Sequence, residues 1–220
     1  MENSGIDLNP EFLEAISVMN SGMNAFITGK AGTGKSTLLR YFLETTSKEF
    51  VVVAPTGIAA INVGGTTIHR LFSFPSWVDI GFVHSHEYHP DKDLISQLEV
   101  LVIDEVSMVR ADLFDTMEAA LRRFGPKRGL PFGGVQIILV GDPYQLPPVV
   151  LEGEETFFRG RYPTPYFFSA DSFRDFNFEL IELTRIYRQS DNQFIDVLNA
   201  IRVGEANDAV LELLNKKFGF

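Results

Sequence analysis

The segment Gly29-Lys30-Ala31-Gly32-Thr33-Gly34-Lys35-Ser36-Thr37 fits G-x-x-x-x-G-K-[ST] with both glycines in register, and it constrains the fold more than any other stretch. Only glycine lets successive backbone N–H groups turn inward and approach phosphate oxygens closely. Lys35 adds a cation for the β- and γ-phosphates, and the Ser36 hydroxyl is placed to ligate Mg²⁺. The flanks supply the context such a loop requires. Asn24 to Thr28 is a short apolar strand candidate, and Leu38, Leu39, Phe42 and Leu43 recur at helical spacing after the loop. A helix beginning at Lys35 would aim its positive dipole end at bound phosphate.

The rest of the chain reads as one α/β domain. Its 220 residues with 45% hydrophobic content suffice for a sizeable core. Leu8 to Asn20 predicts a first helix, with Pro10 in the first turn and Ser21-Gly22 as its stop. Phe50 to Ala54 and Val100 to Ile103 are continuous apolar runs of the kind covered on both faces in a parallel sheet, and Val135 to Val140 is a further strand. Tyr166 to Phe168 and Phe178 to Leu183 are further strand candidates. Ile58 to Val63, Arg110 to Phe124, Asn192 to Val203 and Glu205 to Phe218 predict helices. No internal repeat is found.

Val100 to Ile103 ends in Asp104-Glu105. An acid at the carboxyl end of a strand neighbouring the phosphate-loop strand can hold Mg²⁺, which suits Asp104, and the next carboxylate can deprotonate an attacking water, which suits Glu105. The fourth strand ends in Gly141-Asp142-Pro143-Tyr144-Gln145-Leu146-Pro147-Pro148, where three prolines stiffen a loop able to hold the Gln145 amide against a γ-phosphate. Arg185, Tyr187, Arg188 and Gln189 follow the last strand, and an arginine there is well placed to reach phosphate.

Other features favour plainer readings. Ser73 to Asp93, with Pro75, Trp77, Pro90 and no clear period, reads as an insertion. His84, His86 and His89 on it could in principle hold a metal, but solvent-exposed histidines are the better reading, because no helical i, i+4 spacing is present. Arg122, Arg123, Lys127 and Arg128 form the densest basic cluster, read as a solvated helix end with favourable cations. The chain lacks cysteine, which rules out disulfides and thiolate metal sites. With no long apolar window and no signal-peptide pattern, a soluble cytoplasmic protein without membrane contact is expected. A formal net charge of −10 argues against broad adhesion to nucleic acid but leaves room for a local groove.

Several motifs together carry a family resemblance. Glu11 to Ser36, Pro55 to Phe72, Val100 to Val109, Gly133 to Val149 and Leu183 to Glu205 resemble the first RecA-like domain of Pif-type DNA helicases, superfamily-one motors related to RecD. The likeness covers nearly the whole chain. It implies a P-loop NTPase fold, RecA-like, with a mostly parallel sheet, helices on both faces and a small inserted wedge region at residues 73–93. It also implies an ATP-driven motor with 5′-to-3′ polarity on single-stranded DNA that acts on forked duplex DNA, with ATP and Mg²⁺ as cofactors.

By matching position, Gly29, Gly32, Thr33, Gly34, Lys35, Ser36 and Thr37 would hold nucleotide. Ser36 and Asp104 would hold the metal and Glu105 would be the base. Gln145 would sense the γ-phosphate, and Arg188 would stabilise its developing charge. Pro55, Thr56, Gly57, His69 and Phe72 would grip the DNA strand, and Trp77 and Tyr88 are the aromatics of the wedge. Phe12 stands where the family usually carries an adenine-reading Gln. The family pairs this domain with a second RecA-like domain, expected in cis in a full-length relative and absent from residues 1–220, so slow hydrolysis is expected; a monomer is expected as well. A nucleotide-dependent DNA- or protein-binding module without unwinding is the alternative. A kinase or GTPase fits less well, because Asn215-Lys216 is not followed by the Asp that reads guanine.

Overall fold

The apolar runs become the strands of one sheet. In the computed structural model, which describes residues 8–187 and 192–218, helix α1 (Pro10–Ser21) leads into β1 (Ala25–Gly29), α2 (Lys35–Thr45), β2 (Phe50–Ala54), α3 (Gly57–Asn62) and the short β3 (Thr66–Thr67). Helices α4 (Ile68–Phe72), α5 (Ile80–His84) and α6 (Lys92–Gln97) precede β4 (Val100–Ile103), α7 (Ala111–Phe124) and β5 (Gln136–Val140). The order ends with α8 (Glu155–Arg161), β6 (Glu179–Leu183), α9 (Asn192–Arg202) and α10 (Asp208–Phe218).

Among the described residues the six strands run in the order β3-β2-β4-β5-β1-β6, and every neighbouring pair is parallel. Parallel pairing forces each connection to cross a face of the sheet, so both faces must be apolar. The strands show this by alternation. Leu101, Ile103, Ile137 and Leu139 enter the larger core, whereas Val100, Val102, Ile138 and Val140 enter the smaller one. The smaller core is closed by α1 and α2 through Phe12, Met19, Leu38 and Phe42. The larger is closed by α7 and by aromatic rings including Phe72, Phe114 and Phe167, all fully buried.

Local chemistry sets the element ends. The Asn9 side chain accepts the Phe12 N–H at 2.9 Å and caps α1, with Pro10 in its first turn. Gly22 ends that helix at φ 88°, a left-handed conformation that costs glycine nothing. Arg110 precedes α7 and pairs with Asp112 and Glu154, both at 2.7 Å, so the charged start of this mostly buried helix is satisfied.

Four expectations are corrected. Strand β4 does not adjoin the phosphate-loop strand, because β5 pairs with both and lies between them. Tyr166 to Phe168 is not a strand: Phe167–Ser169 is a 3-10 turn that drives Phe167 into the core. The segment 73–93, read as an insertion, carries α5 and the start of α6, and its Phe74, Val83 and Tyr88 join the main core. Tyr88 is therefore not a free wedge aromatic. Its ring packs against Phe74, Phe82 and Phe124, whereas Trp77 is 68% exposed. The predicted helix from Glu205 begins at Asp208. Among the described residues no helix is long and apolar enough to cross a membrane.

Candidate functional site

The carboxyl ends of the parallel strands collect the polar segments on one edge of the sheet, where open α/β sheets bind their ligands. β1 runs directly into the phosphate loop. Gly29 sits at φ 144°, and a Cβ there would lie 2.4 Å from the Leu183 carbonyl oxygen, so glycine is what lets β6 pack beside the loop. Gly32 and Gly34 are both left-handed, at φ 82° and 92°. Thr33 turns inward. Its hydroxyl donates to the Lys30 carbonyl at 2.9 Å and its side chain is buried, so that side chain braces the loop from within.

Helix α2 starts at Lys35 with no side-chain cap, and its first intrahelical bond is from the Leu38 N–H to Gly34. The amides of its first turn therefore open toward an approaching anion. The Lys35 ammonium donates to the carbonyls of Gly29 and Lys30, at 2.6 and 3.1 Å. Burial pushes its pKa down, opposed by the charges of Asp142, Glu105 and Asp104. A half-buried ammonium whose hydrogen bonds go to carbonyls fits an anionic ligand. A cavity of about 310 Å³ opens here, lined by Ala31, Gly32, Gly34 to Thr37, Glu105, Gln145 and Tyr187.

Glu105 lines the same cavity, and Asp104 precedes it at the end of β4. Asp104 is 8% exposed, and burial together with the neighbouring Glu105 charge pushes its carboxyl up to about 6, although a backbone hydrogen bond and Lys35 oppose the shift. A buried carboxyl so displaced gains from a cation, which fits the expected metal ligand. Glu105 adopts φ 51° and ψ 42°, a left-handed backbone uncommon outside glycine, and this turn sends its side chain to the cavity wall. The intervening β5 brings Gly141 to Pro148 between loop and acids. A Cβ on Gly141 would lie 3.0 Å from the Val106 nitrogen, so the two segments are in close contact.

Gln145 lines the cavity while its amide donates to Asp142 at 3.1 Å. Asp142 is fully buried and had no assigned role in the sequence. It accepts two hydrogen bonds from Arg202 on α9, at 2.8 and 2.9 Å. The far rim is Tyr187, whose N–H donates to Gly32 and whose hydroxyl accepts from Asn9, both contacts invisible in the sequence. Phe12 is buried beneath Gly34 and edge-on to Tyr187, so this position offers the rim no polar group. Arg188 and Gln189 lie outside the described residues.

The expected strand-gripping residues sit after β2, the neighbour of β4. Thr56 caps α3, accepting from Ala59 at 3.2 Å, and Pro55 and Gly57 flank it. Ile58 and Ile61 on α3 are 78% and 80% exposed, apolar groups that the motif reading passed over. His69 is half-buried. Burial and then the Arg110 charge push its pKa down, against Asp112. Phe72 is corrected: its ring is fully buried and stacked on Phe74 at 5.2 Å, which leaves no face for a base. The histidines His84, His86 and His89 are exposed, and among the described residues no cluster of three or more His, Cys, Asp or Glu side chains is placed to hold a metal. Arg122 is bound to Glu118 and the Gly129 carbonyl, and Arg123 to the Val83 carbonyl, so these two arginines tie the end of α7 to its neighbours.

The strand order and the chemistry along this edge define a P-loop nucleotide-binding domain with a RecA-like sheet. The chain belongs to a family within that class: the PIF1-like helicase family model matches residues 10–212. The ATP-dependent DNA helicase Pif1 of Bdellovibrio bacteriovorus is 36% identical over 217 residues, covering 96% of this chain and 47% of that protein. The human ATP-dependent DNA helicase PIF1 is 36% identical over 210 residues, covering 94% of this chain and 31% of its own length. A Bacteroides Pif1 helicase solved in complex with ADP-AlF3 and single-stranded DNA superposes with a TM-score of 0.88 at 40% identity, over 96% of this chain and 50% of that one. The chain thus spans about half or less of the length of these relatives.

Proposed function

We propose that this chain is the ATPase half of a 5′-to-3′ DNA helicase, using ATP with Mg²⁺ and single-stranded DNA as its track, and acting on forked duplex when joined to a second RecA-like domain. The observation that carries the reading is the convergence of Lys35, Glu105 and Gln145 on one cavity. The uncapped first turn of α2 and Lys35 hold the phosphates, with Gly29, Gly32 and Gly34 shaping the loop. Ser36 and Asp104 are the residues to hold Mg²⁺, which when bound would neutralise charge on the β- and γ-phosphate oxygens. Glu105 takes the proton of the attacking water, and Gln145 donates to the γ-phosphate. Arg188, beyond the described residues, is assigned the developing charge by its place after Tyr187.

The strand side is served by Thr56, His69 and the exposed Ile58 and Ile61, with Trp77 available at a duplex junction. The backbone N–H of Asp104 donates to Val53 at 2.9 Å, so the acid of the nucleotide site and the strand-contacting segment share one rigid edge. The two human and bacterial relatives are named ATP-dependent DNA helicases, and the Bacteroides protein was solved with a nucleotide analogue and single-stranded DNA, which supports the assignment. We assign the working unit as a monomer.

The test is ATP hydrolysis, with and without a short oligothymidylate, by this chain fused to the part of the Bdellovibrio relative it does not cover. DNA stimulation lost in both Lys35→Ala and Glu105→Gln supports the reading. Equal rates in all three proteins overturn it.

A further inference from the structure

Arg202 lies at the end of α9, distant in sequence from the cavity and not among its lining residues. Its guanidinium nevertheless makes a two-point contact with Asp142: Nε donates to Oδ2 at 2.9 Å and Nη2 to Oδ1 at 2.8 Å. The Cζ of the group also lies over the Tyr144 ring, 4.4 Å from its centre. Asp142 itself has no exposed surface, and a carboxylate without water must be fully bonded by the protein. It is: besides Arg202, it accepts the Tyr144 N–H and the Gln145 Nε2, both at 3.1 Å. Burial pushes its pKa up, but these hydrogen bonds outweigh that and hold the carboxyl below its ordinary range.

One carboxylate thus joins two elements. On one side Arg202 fixes it to α9; on the other it holds one of the two amide hydrogens of Gln145 and the backbone of the turn that carries it. The second hydrogen of that amide remains for an acceptor in the cavity that Gln145 lines. Gln145 is otherwise an exposed side chain on a loop, and its orientation depends on this bond. A two-point Arg–carboxylate contact fixes direction as well as distance, which a lysine at the same place would do less well.

Resting on the nucleotide-site reading above, we infer that Arg202 is a positioning residue: through Asp142 it presets the Gln145 amide toward the γ-phosphate and so makes the position of α9 part of how this chain tells a nucleoside triphosphate from a diphosphate. The diphosphate does not reach Gln145 and is indifferent to Arg202. Discrimination, rather than phosphate binding in general, is what the contact supplies.

The experiment measures Mg²⁺-dependent affinity for ADP and for the non-hydrolysable analogue AMP-PNP in the wild-type chain, Arg202→Ala, Arg202→Lys, Gln145→Ala and the double variant Arg202→Ala/Gln145→Ala. Arg202→Ala is expected to weaken AMP-PNP about five- to thirtyfold while ADP stays within about twofold, and Arg202→Lys to recover part of the loss. Because Arg202 acts through Gln145, the double variant should be no worse than the weaker single one. The neutral pair Asp142→Asn/Arg202→Gln, which leaves no unpaired buried charge, should lose the same discrimination with the fold intact, as its ADP affinity reports. An equal loss for both nucleotides, or losses that multiply in the double variant, would overturn the inference alone. A wild-type chain that binds neither nucleotide would overturn the nucleotide-site reading with it.

Discussion

Asp104 and Val53 are joined by a backbone hydrogen bond of 2.9 Å, and this bond ties the buried acid at the end of β4 to the strand end that leads to Thr56. Val53 ends the paired part of β2 and Asp104 directly follows β4, strands paired in parallel from Phe50 with Val100 to Val53 with Ile103, so the bond continues the ladder by one step. The price of that placement falls on the Asp104 carboxyl.

Asp104 has a folded-state pKa of about 6, raised first by burial, against an ordinary value of 3.8. A raised acid pKa means the folded chain holds its proton more tightly than the unfolded chain. The ionised form therefore costs stability, a cost that is absent below the ordinary value and complete above about pH 6. Asp104→Asn is expected to raise the unfolding free energy at pH 7 by about 1–3 kcal/mol, with the gain fading toward pH 4. Urea unfolding across that range measures it, and the same variant should lose Mg²⁺-dependent nucleotide binding.

Glu105 carries strain of a different kind. At φ 51° its left-handed backbone costs an ordinary residue about 1 kcal/mol or more and costs glycine little. Glu105→Gly should therefore be as stable as the wild type or more so, by about 0.5–1 kcal/mol, while losing hydrolysis. Thermal unfolding alongside a single-turnover ATPase assay reads both, and a clear loss of stability would contradict the account of this turn.

Phe72 and Trp77 should separate core from surface. Phe72→Ala removes a fully buried ring stacked on Phe74 and is expected to cost about 3–5 kcal/mol. Trp77→Ala, with the indole 68% exposed, should change stability by less than about 0.5 kcal/mol. If Trp77 meets DNA, its loss should weaken binding to a forked duplex more than to a single strand, as oligonucleotide titrations with the two substrates would show.

What the sequence made legible was mainly local. The phosphate loop, the start of α2 at Lys35, the β-branched runs and the stop at Gly22 are each written in a few adjacent residues, and each appears where expected. Phe72 and Tyr88 misled because a motif position or an aromatic in an insertion says nothing of which way the ring points, and here both rings complete the core beside α7. Tyr166 to Phe168 misled because three apolar residues suit a strand or a tight turn equally. The place of β5 between β1 and β4, and the contacts Asp142–Arg202, Asn9–Tyr187 and Glu11–Thr184, depend on how distant segments meet, which no local pattern encodes.

The most direct measurement is calorimetric titration of Mg²⁺-ATP into the wild-type chain and Lys35→Ala. The half-buried Lys35 ammonium donates to the Gly29 and Lys30 carbonyls in the structure and burial disfavours its charge, so the substitution should leave the fold intact. The account predicts one site in the wild type and an affinity lower by about 10- to 150-fold in the variant, the loss of about 1.5–3 kcal/mol expected for a hydrogen bond to a charged group. Equal affinity in the two proteins, with both folded, would contradict it.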